Sequence, residues 1–319
     1  MKNSVIMATY NGEKYITEQL DSIRNQTLPP DEVIICDDCS SDNTRIIINE
    51  YISKYKLTGW QLYSNEKNIG FFDNFFKALR LSTGDVIYLS DQDDIWDIDK
   101  IKKFTEYYGT SQKLMMIQSS YKLINSDGVK LKDEEAYHYF KYGDVCELTT
   151  LDMCKFAGSG FTMSFRANVA KIIIENNIDK CEFFQFHDIL IGLLSAALGD
   201  CILDRNIIDL HRIHDCNVTK KKNKSFVSGR TKQIQLQILN SRIKYFEYIA
   251  QYSIDENKKN IFYKYSLFCK LRMNYIQVFN FGRLVRLIKN IKLYASKKGL
   301  VSDTLYSLGL EKLILLFIK

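Results

Sequence analysis

The sequence is poor in proline and has no long apolar run, and both absences narrow the class of protein. Only two prolines occur in 319 residues, the adjacent Pro29 and Pro30, which we expect to end a helix because proline cannot continue one. No uninterrupted apolar run approaches the roughly 18 residues of a membrane-spanning helix. Residues 1–12 become polar too quickly for a signal peptide. We therefore expect a cytoplasmic protein.

Histidine is scarce, with four residues, and the eight cysteines form only one Cys-x-x-Cys pair. That pair, Cys36 and Cys39, encloses two aspartates, and no second pair completes a zinc site. A further set of cysteines and histidines matches no zinc spacing: Cys181, His187, Cys201, His211, His214 and Cys216. Reduced cysteines are expected in a chain of this size without an export signal. The pattern therefore disfavours zinc, redox and disulfide roles.

Two glycine motifs that bind nucleotide phosphates are also absent. The sequence contains no Gly-x-x-x-x-Gly-Lys-Ser/Thr, and MATYNGEKY stands where a Gly-x-Gly-x-x-Gly would follow the first predicted strand. P-loop phosphoryl transfer and dinucleotide redox chemistry are therefore disfavoured. A diphosphate held through a metal ion remains compatible with the sequence.

The N-terminal part of the chain alternates between predicted strands and helices. Strands are predicted at 4–10, 31–38, 60–66 and 84–91, and helices at 12–26, 40–55 and 70–82. Such alternation predicts an α/β fold with a mostly parallel central sheet and helices on both faces. Polar clusters at 9–11, 37–38 and 91–94 follow three of these strands. Because parallel sheets bind ligands beyond the carboxyl ends of their strands, we expect the clusters to converge.

The remainder of the chain is more mixed and then helical. Strands are predicted near 114–124 and 160–165, and helices near 167–176 and 187–198. From residue 228 onward the apolar spacing is that of helices. The sequence shows no internal repeat and no low-complexity linker.

The stretch YLSDQDDIWDIDK places five carboxylates on one turn after an apolar strand. An EF-hand loop starting at Asp91 would need glycine at its sixth position and glutamate at its twelfth, but Trp96 and Lys102 stand there. Asp97 and Asp99 are most simply explained as favouring the N-terminus of the next helix. The other acids, Asp91, Asp93 and Asp94, either form a solvated turn or relieve their repulsion by binding a divalent cation and a phosphorylated substrate.

The net charge of +6 conceals an asymmetry. Residues 220–319 contain 21 Lys and Arg against 5 Asp and Glu, so this third carries +16 and the first 219 residues carry −10. Basic and apolar residues interleave at near-helical spacing over 264–293. This pattern is compatible with a packed helical subdomain and with an interfacial segment on anionic lipid. Nucleic-acid binding is disfavoured, because no nucleic-acid module accompanies the charge.

Four segments in fixed order resemble the family 2 glycosyltransferases with a GT-A fold, in particular bacterial rhamnosyltransferase-like members. They are VIMATYNGEKYITEQLDSIRNQT, EVIICDDCSSDNT, NEKNIGFFDNFFKAL and GDVIYLSDQDDIWDIDK, and they cover about residues 3–104. GSGFTMSFR, FHDILIGLLSAALGD and LHRIHDCN resemble later family segments. The resemblance implies a GT-A catalytic domain at 1–219, divided into a nucleotide-sugar half (1–104) and an acceptor half (105–219). A mainly helical, basic region at 220–319 would follow.

Carried onto this sequence, the resemblance implies a donor site and a metal site. The residues implied to bind the nucleotide-sugar donor are Thr9, Tyr10, Asn11, Asp38, Asn68, Asp91, Asp93, Asp94 and Arg212. Asp91 and Asp93 match the family's DxD motif, in which Asp93 would coordinate Mn or Mg on the diphosphate. His214 is a second candidate metal ligand. The donor implied is dTDP-rhamnose or a UDP-sugar.

The resemblance also implies an acceptor site and a general base. Asp188, in a His-Asp pair at a helix start, matches the family's base, and its alternative role is a helix N-cap. The residues implied to bind the acceptor are Trp96, Gly158, Ser159 and His187. One base opposite one leaving group implies inversion at the anomeric carbon. The acceptor implied is a glycan or lipid-linked saccharide of a bacterial cell-surface polysaccharide.

Three positions depart from the family pattern. Cys39 replaces a frequent glycine, Ile189 follows the His-Asp pair where an aromatic is usual, and His211 replaces a frequent tyrosine. We expect peripheral contact of the basic region with the inner face of the cell membrane. Two alternatives stay open, a non-catalytic nucleotide- or glycan-binding protein of the same fold and a membrane-surface scaffold. The sequence leaves the oligomeric state undetermined.

Overall fold

A computed structural model describes residues 1–131, 144–155, 158–215 and 231–314. The chain forms two compact units. The first comprises Met1–Thr149 and Ala157–Ile213, and the second comprises Thr150–Phe156 and His214–Lys319. Cys216 and the predicted boundary between residues 219 and 220 lie outside the described residues, so that boundary stays a prediction.

The first unit is built on an eight-stranded mixed sheet with the order β3-β2-β1-β4-β7-β5-β8-β6. The strands are β1 Asn3–Thr9, β2 Glu32–Asp37, β3 Trp60–Ser64, β4 Val86–Ser90, β5 Leu114–Ile124, β6 Val145–Glu147, β7 Met163–Arg166 and β8 Asp200–Arg212. β3, β2, β1 and β4 are parallel neighbours, and β5 is parallel to β8. β7 runs antiparallel between β4 and β5, and β6 is an antiparallel edge strand. The predicted α/β class is confirmed.

Helices cover this sheet and form the second unit. Those of the first unit are α1 Ile16–Arg24, α2 Thr44–Tyr55, α3 Phe71–Leu81, α4 Lys100–Thr110, α6 Ala167–Glu175 and α7 His187–Leu198. Those of the second unit are α5 Thr150–Lys155, α8 Lys232–Ala250, α9 Glu256–Gln277, α10 Phe281–Lys289 and α11 Lys298–Ser307. Short 3-10 turns occur at Gly160–Thr162, Ile178–Lys180, Ile291–Leu293 and Glu311–Leu313.

The sheet is buried on both faces because apolar residues occupy successive positions of its central strands. In β1, Val5 and Met7 join the core that contains apolar residues of α1, α2 and α4. Ile6 between them is also buried and points to the opposite face, since side chains alternate along a strand. α3 contacts β1 and β2 and also contacts α7. Continuous apolar strands of this kind are typical of parallel sheets covered by helices.

The second unit is organised around α9, which contacts α5, α8, α10 and α11. Three of its helices begin at a side chain that accepts a backbone N–H of the first turn. These N-caps are Thr231 for α8, Asp255 for α9 and Asn280 for α10. Each satisfies a donor that the helix itself leaves unpaired, as Ser, Thr, Asp and Asn commonly do. None of the described helices combines the length and the apolar character needed to cross a bilayer.

A buried ion pair joins α4 to β8 beneath the acidic turn. The Lys100 ammonium lies 2.7 Å from an Asp209 carboxylate oxygen, and both side chains are inaccessible to solvent. Lys100 also donates to the Phe161 carbonyl at 2.7 Å, and Ser119 donates to Asp209. Burial lowers the pKa of Lys100 and raises that of Asp209, and each charge offsets part of the other's shift. Both partners are therefore needed for either to stay charged.

Substituting Lys100 by methionine is expected to lower the free energy of unfolding by about 3–5 kcal/mol, because Asp209 would remain buried without its partner. Urea denaturation measures the loss. Lys103→Met on the same helix is the matched control, since the Lys103 ion pair is exposed and such pairs contribute at most about 1 kcal/mol. Equal losses in the two variants would contradict the prediction.

Candidate active site

Two hydrogen bonds of the Gln92 side chain join the loop after β4 to the loop after β1. Gln92 lies between Asp91 and Asp93. Its side-chain oxygen accepts the Tyr10 N–H at 2.8 Å, and its amide nitrogen donates to the Tyr10 carbonyl at 3.0 Å. A Cβ atom on Gly12 would lie 2.3 Å from the Gln92 oxygen, so a larger residue there would displace this side chain. The predicted convergence of these two loops is thus made by a residue that sequence analysis did not single out.

The loops after β1 and β2 are also joined, through Asp37. This buried carboxylate accepts the Thr9 hydroxyl at 3.1 Å, the Ser40 N–H at 2.9 Å and the Ser40 hydroxyl. The Asn11 N–H donates to the Ser40 hydroxyl at 2.9 Å. Thr9 therefore lies under the crevice with its hydroxyl bonded to Asp37, while Tyr10 is 49% exposed at the edge. The pair Asp37-Asp38 was the sequence signal, but only its second member was predicted to act.

Asp38 is buried and organises the loop before α3. Its carboxylate accepts the Ile69 and Gly70 N–H groups, each at 2.8 Å, and the Asn65 amide at 2.8 Å. Asn68 lies in the same loop, where its amide donates to the Asp38 carbonyl at 3.3 Å. These bonds hold the 65–70 loop beside the ends of β1 and β2. A contact of Asp38 or Asn68 with the nucleotide stays a prediction.

Asp94 is fully buried in the acidic turn and pairs with His211 on β8. One carboxylate oxygen accepts the Arg212 N–H at 3.0 Å and lies 2.8 Å from His211 Nδ1. Burial raises the Asp94 pKa. Burial also disfavours the His211 cation, but the attraction of Asp94 outweighs it and raises the pKa of His211 to about 9. The second Asp94 oxygen, Oδ2, has no hydrogen-bond partner among the described residues.

Asp91 is the most strongly perturbed acid of this turn. Burial raises its pKa well above the usual range, and the neighbouring charges of Asp94 and Asp93 raise it further. His211 opposes the shift, while Asp188 adds to it. Asp188 comes from the N-terminus of α7, far away in sequence, so this interaction brings the predicted base and the acidic turn into one electrostatic environment. Crowded carboxylates of this kind favour protonation or a bound cation.

Asp188 lies in the first turn of α7 and retains partial exposure. Its Oδ1 atom accepts the N–H of Ile189 at 2.8 Å. Burial raises the Asp188 pKa to about 6 despite that hydrogen bond. Phe186, not Asp188, occupies the N-cap position, so the N-cap alternative is wrong. A carboxyl group with this pKa can accept a proton near neutral pH.

Two of the side chains predicted to bind the acceptor are packed in the interior. Trp96 is 4% exposed, and the Lys100 ammonium lies 4.2 Å from its ring centroid. The His187 ring stacks on Phe75 with centroids 4.0 Å apart, and burial lowers its pKa to about 3, so it is neutral. The observed role of both rings is packing, and contact of Trp96 or His187 with an acceptor stays a prediction.

Gly158 and Ser159 precede the 3-10 turn Gly160–Thr162. Gly158 has a φ of 51°, and a Cβ atom there would meet the Gln118 amide at 1.6 Å, so only glycine fits without rearrangement. The Ser159 carbonyl accepts the Thr162 hydroxyl at 2.6 Å. Their contact with an acceptor stays a prediction.

The Arg212 side chain contacts the acidic turn and is 1% exposed. Its guanidinium donates to Glu18 at 2.6 Å and to the Asp93 carbonyl at 3.0 Å, and it lies 4.6 Å from the Tyr15 ring centroid. The observed role is therefore to fasten α1 to the acidic turn. Direct contact of Arg212 with a diphosphate stays a prediction.

The acidic turn fits a divalent cation held jointly with a substrate, rather than one enclosed by protein. Within the described residues, no three or more His, Cys, Asp and Glu side chains are grouped as a metal cage. Asp91, Asp93 and Asp94 nevertheless supply the oxygen donors that Mg²⁺ and Mn²⁺ prefer, and the buried Asp94 Oδ2 has no partner in the described part of the chain. One or two carboxylates with substrate phosphates are sufficient for such ions. His214 belongs to the second unit, and its ligation stays a prediction.

A cavity of about 210 Å³ lies against β5 and β8 in the acceptor half. Ser120, Tyr121, Lys122 and Arg205 line it. The Tyr121 ring also contacts the His211 ring, with centroids 5.8 Å apart. Tyr121 therefore connects this cavity to the Asp94–His211 pair, a link that strand periodicity alone did not reveal.

Comparison with known proteins assigns this arrangement of strands and acids to a family. The model of glycosyl transferase family 2 matches residues 4–169. The poly(ribitol-phosphate) β-N-acetylglucosaminyltransferase TarS of Staphylococcus aureus is 40% identical over 104 residues, covering 32% of this chain and 18% of TarS. The dTDP-rhamnosyl transferase RfbG of Shigella flexneri is 44% identical over 99 residues, covering 30% of this chain and 34% of RfbG. The chain thus spans less than a fifth of TarS and about a third of RfbG in these matches.

A longer match and two solved structures extend the similarity. The protein named "Putative teichuronic acid biosynthesis glycosyltransferase TuaG" of Bacillus subtilis is 34% identical over 208 residues. The match covers 65% of this chain and 79% of TuaG. The crystal structure of S. aureus TarS 1-349 with UDP-GlcNAc has a TM-score of 0.63 at 18% identity, covering 100% of this chain and 91% of that one. The mannosyltransferase PcManGT of Pyrobaculum calidifontis, with GDP-Man and Mn²⁺, has a TM-score of 0.56 at 13% identity, covering 100% and 88%. The structures confirm the predicted fold.

Proposed function

Because the chain belongs to glycosyl transferase family 2 and is a glycosyltransferase, we propose that it builds a bacterial cell-surface polysaccharide by transferring a sugar with inversion. The donor is a nucleoside diphosphate sugar and the acceptor a glycan or lipid-linked saccharide. The observation that carries this proposal is the acidic turn after β4, where the buried Asp94 Oδ2 atom has no hydrogen-bond partner among the described residues.

The proposed reaction forms one bond to the anomeric carbon and breaks another. The acceptor oxygen attacks that carbon, and the bond to the β-phosphate oxygen breaks on the opposite face, which inverts the configuration. The acceptor proton passes to the Asp188 carboxylate. A pKa of about 6 suits this task, because the group is mostly ionised at neutral pH and remains basic enough to accept the proton.

The leaving nucleoside diphosphate requires charge neutralisation at the acidic turn. Asp93 would hold Mn²⁺ or Mg²⁺ with the diphosphate, Asp91 would lie near the ribose, and His214 is a further candidate metal ligand. The bound cation would stabilise the developing negative charge as a Lewis acid. Arg212 keeps the turn in place through the Asp93 carbonyl. The Mn²⁺ in the PcManGT structure supports the choice of ion.

The candidate donors are dTDP-rhamnose and a UDP-sugar. The name of RfbG, a dTDP-rhamnosyl transferase, supports the first candidate. The TarS structure with UDP-GlcNAc supports the second. Tyr10 and Asn11, at the exposed end of β1, are proposed to contact the nucleotide.

The helical unit is proposed to contact the inner face of the cell membrane. α10 carries Phe281, which is 71% exposed, and Ile288, which is 52% exposed, together with Arg283, Arg286 and Lys289. Exposed apolar side chains beside basic ones favour an anionic lipid surface. Such contact would bring the enzyme to a lipid-linked acceptor.

Donor identity is tested with a panel of nucleotide sugars and Mn²⁺. We expect one donor to raise the melting temperature in the presence of Mn²⁺ and to be consumed, because a ligand that binds only the folded state stabilises it. The same sugars with Mn²⁺ replaced by EDTA serve as the control. A donor that stabilises the protein but is never transferred or hydrolysed would favour a non-catalytic binding protein.

A further inference from the structure

The helical unit contains a cavity of about 140 Å³ whose wall includes three basic side chains, Lys155, Arg242 and Arg272. The lining comes from α5, α8, α9 and the 293–299 segment, all within this unit. The volume corresponds to about five water molecules at ~30 Å³ each, which is enough for a group of five heavy atoms such as phosphate. Basic side chains around a cavity of this volume favour the binding of an anion.

One of the three basic groups is already neutralised. Arg272 forms two hydrogen bonds to the buried carboxylate of Asp303, at 2.7 and 3.0 Å. The Tyr294 hydroxyl donates to the same carboxylate at 2.6 Å. The Arg272–Asp303 pair therefore shapes the wall without adding net charge.

The other two basic groups have no comparable partner. Among the residues that the structure describes, neither Arg242 nor Lys155 forms a salt bridge with a carboxylate. The ionisable groups that act on Arg242 are two tyrosines, a thiol and another arginine: Tyr245, Tyr265, Cys269 and Arg272. Taking a guanidinium partly out of water without a counter-charge is unfavourable. Two basic groups of the cavity wall, Arg242 and Lys155, thus lack a carboxylate salt bridge among the described residues, although Asp152 lies on the same short helix as Lys155.

A helix N-terminus also borders the cavity. α11 begins at Lys298, and Ser296 and Gly299 line the space. The positive end of a helix dipole favours anions, although the Gly299 and Leu300 N–H groups already donate to the Ser296 and Lys297 carbonyls at 3.0 and 3.2 Å. A Cβ atom on Gly299 would lie 2.6 Å from the Tyr294 ring, so glycine permits this turn to approach. Basic side chains, a cavity of suitable volume and the positive end of a helix dipole therefore occur at one place.

We propose that this cavity binds a phosphate group, carried either by a lipid headgroup or by a soluble phosphorylated compound. Arg242 and Lys155 provide the charge, and the Ser296 hydroxyl provides a further donor. The proposal is independent of sugar transfer, because every residue in it belongs to the helical unit.

The site is tested first with inorganic phosphate on the full chain. Phosphate is expected to raise the melting temperature saturably when compared with chloride at equal ionic strength. Arg242→Gln should weaken the apparent affinity at least tenfold, and Arg242→Lys should weaken it less because the charge remains. Lys244→Gln is the matched control, since Lys244 is exposed on the same helix. Loss of the far-UV circular dichroism in Arg242→Gln would leave Arg242→Lys and Lys155→Gln to decide by the same criterion.

The source of the phosphate is tested with vesicles. Cosedimentation with phosphatidylglycerol vesicles, compared with phosphatidylcholine, should fall at least fivefold in Arg242→Gln and be competed by inorganic phosphate if a lipid headgroup occupies the site. Unchanged vesicle binding, together with lost phosphate binding, would assign the site to a soluble phosphorylated compound. No saturable effect of phosphate on the wild-type chain, or equal effects on wild type and the folded Arg242 and Lys155 variants, would overturn the proposal.

Discussion

Replacing Asp188 by asparagine is expected to reduce kcat by a factor of 10² to 10⁴, which corresponds to about 3–5 kcal/mol of transition-state stabilisation. The substitution keeps the size of the side chain and can keep the hydrogen bond from Ile189, so the first turn of α7 should persist. The lost function is the ability to accept the acceptor proton. Initial rates with saturating donor, acceptor and Mn²⁺ measure the effect.

The pH profile separates this role from a structural one. Burial raises the pKa of Asp188 to about 6, and the active form of a general base is the ionised one. In the wild-type enzyme kcat/KM should therefore fall about tenfold per pH unit below about pH 6. The residual rate of Asp188→Asn should lack this fall. Asp200→Asn, at an exposed carboxylate, is the control that should keep both the rate and the profile. A variant Asp188→Asn with more than a tenth of the wild-type rate would contradict the assignment.

The fold of the unit that contains the sheet was predictable because polar residues mark the point where each of several strands ends. β1, β2 and β4 are short apolar runs that stop at polar clusters, and the intervening helices have clear apolar spacing. The predicted strands and helices therefore match in order and approximate bounds. Parallel strands with crossovers place their carboxyl ends together, so the convergence of the acidic turn with residues 9–11 followed from topology.

The bonds that hold the site together were not predictable, because they join residues distant in sequence. Arg212 reaches Glu18 across 194 positions, and Asp94 meets His211 across 117. No local pattern records such pairs, since they depend on how β8 aligns beside β5. The packing of His187 was also not predictable, because a histidine in an apolar helix can lie in the core or face a ligand. Its stacking on Phe75 becomes visible only when α3 and α7 are placed side by side.

Mn²⁺ and the nucleoside diphosphate are expected to bind tightly only together, and Asp93→Asn is expected to abolish this cooperation. Burial and the charges of Asp94 and Asp93 raise the pKa of Asp91, so a metal ion alone must displace a proton and bind with few protein ligands. The diphosphate supplies further oxygen ligands and benefits in turn from the cation. Melting temperatures with Mn²⁺, with nucleotide and with both measure the coupling. The shift with both should exceed the sum of the separate shifts.

In Asp93→Asn the combined shift should fall to that sum, and transfer should fall at least about 100-fold, because charge stabilisation of the leaving group is lost. Asp99→Asn is the matched control on the same turn, since the Asp99 carboxylate accepts a hydrogen bond from the Thr27 hydroxyl at 2.8 Å, which asparagine can retain. A melting temperature without ligand close to that of wild type would show that Asp93→Asn is folded. Tight binding of Mn²⁺ without nucleotide would contradict the argument from repulsion. Cooperation that survives in Asp93→Asn would remove Asp93 from the metal site, and Asp91 with Asp94 would then be the carboxylates to test in its place.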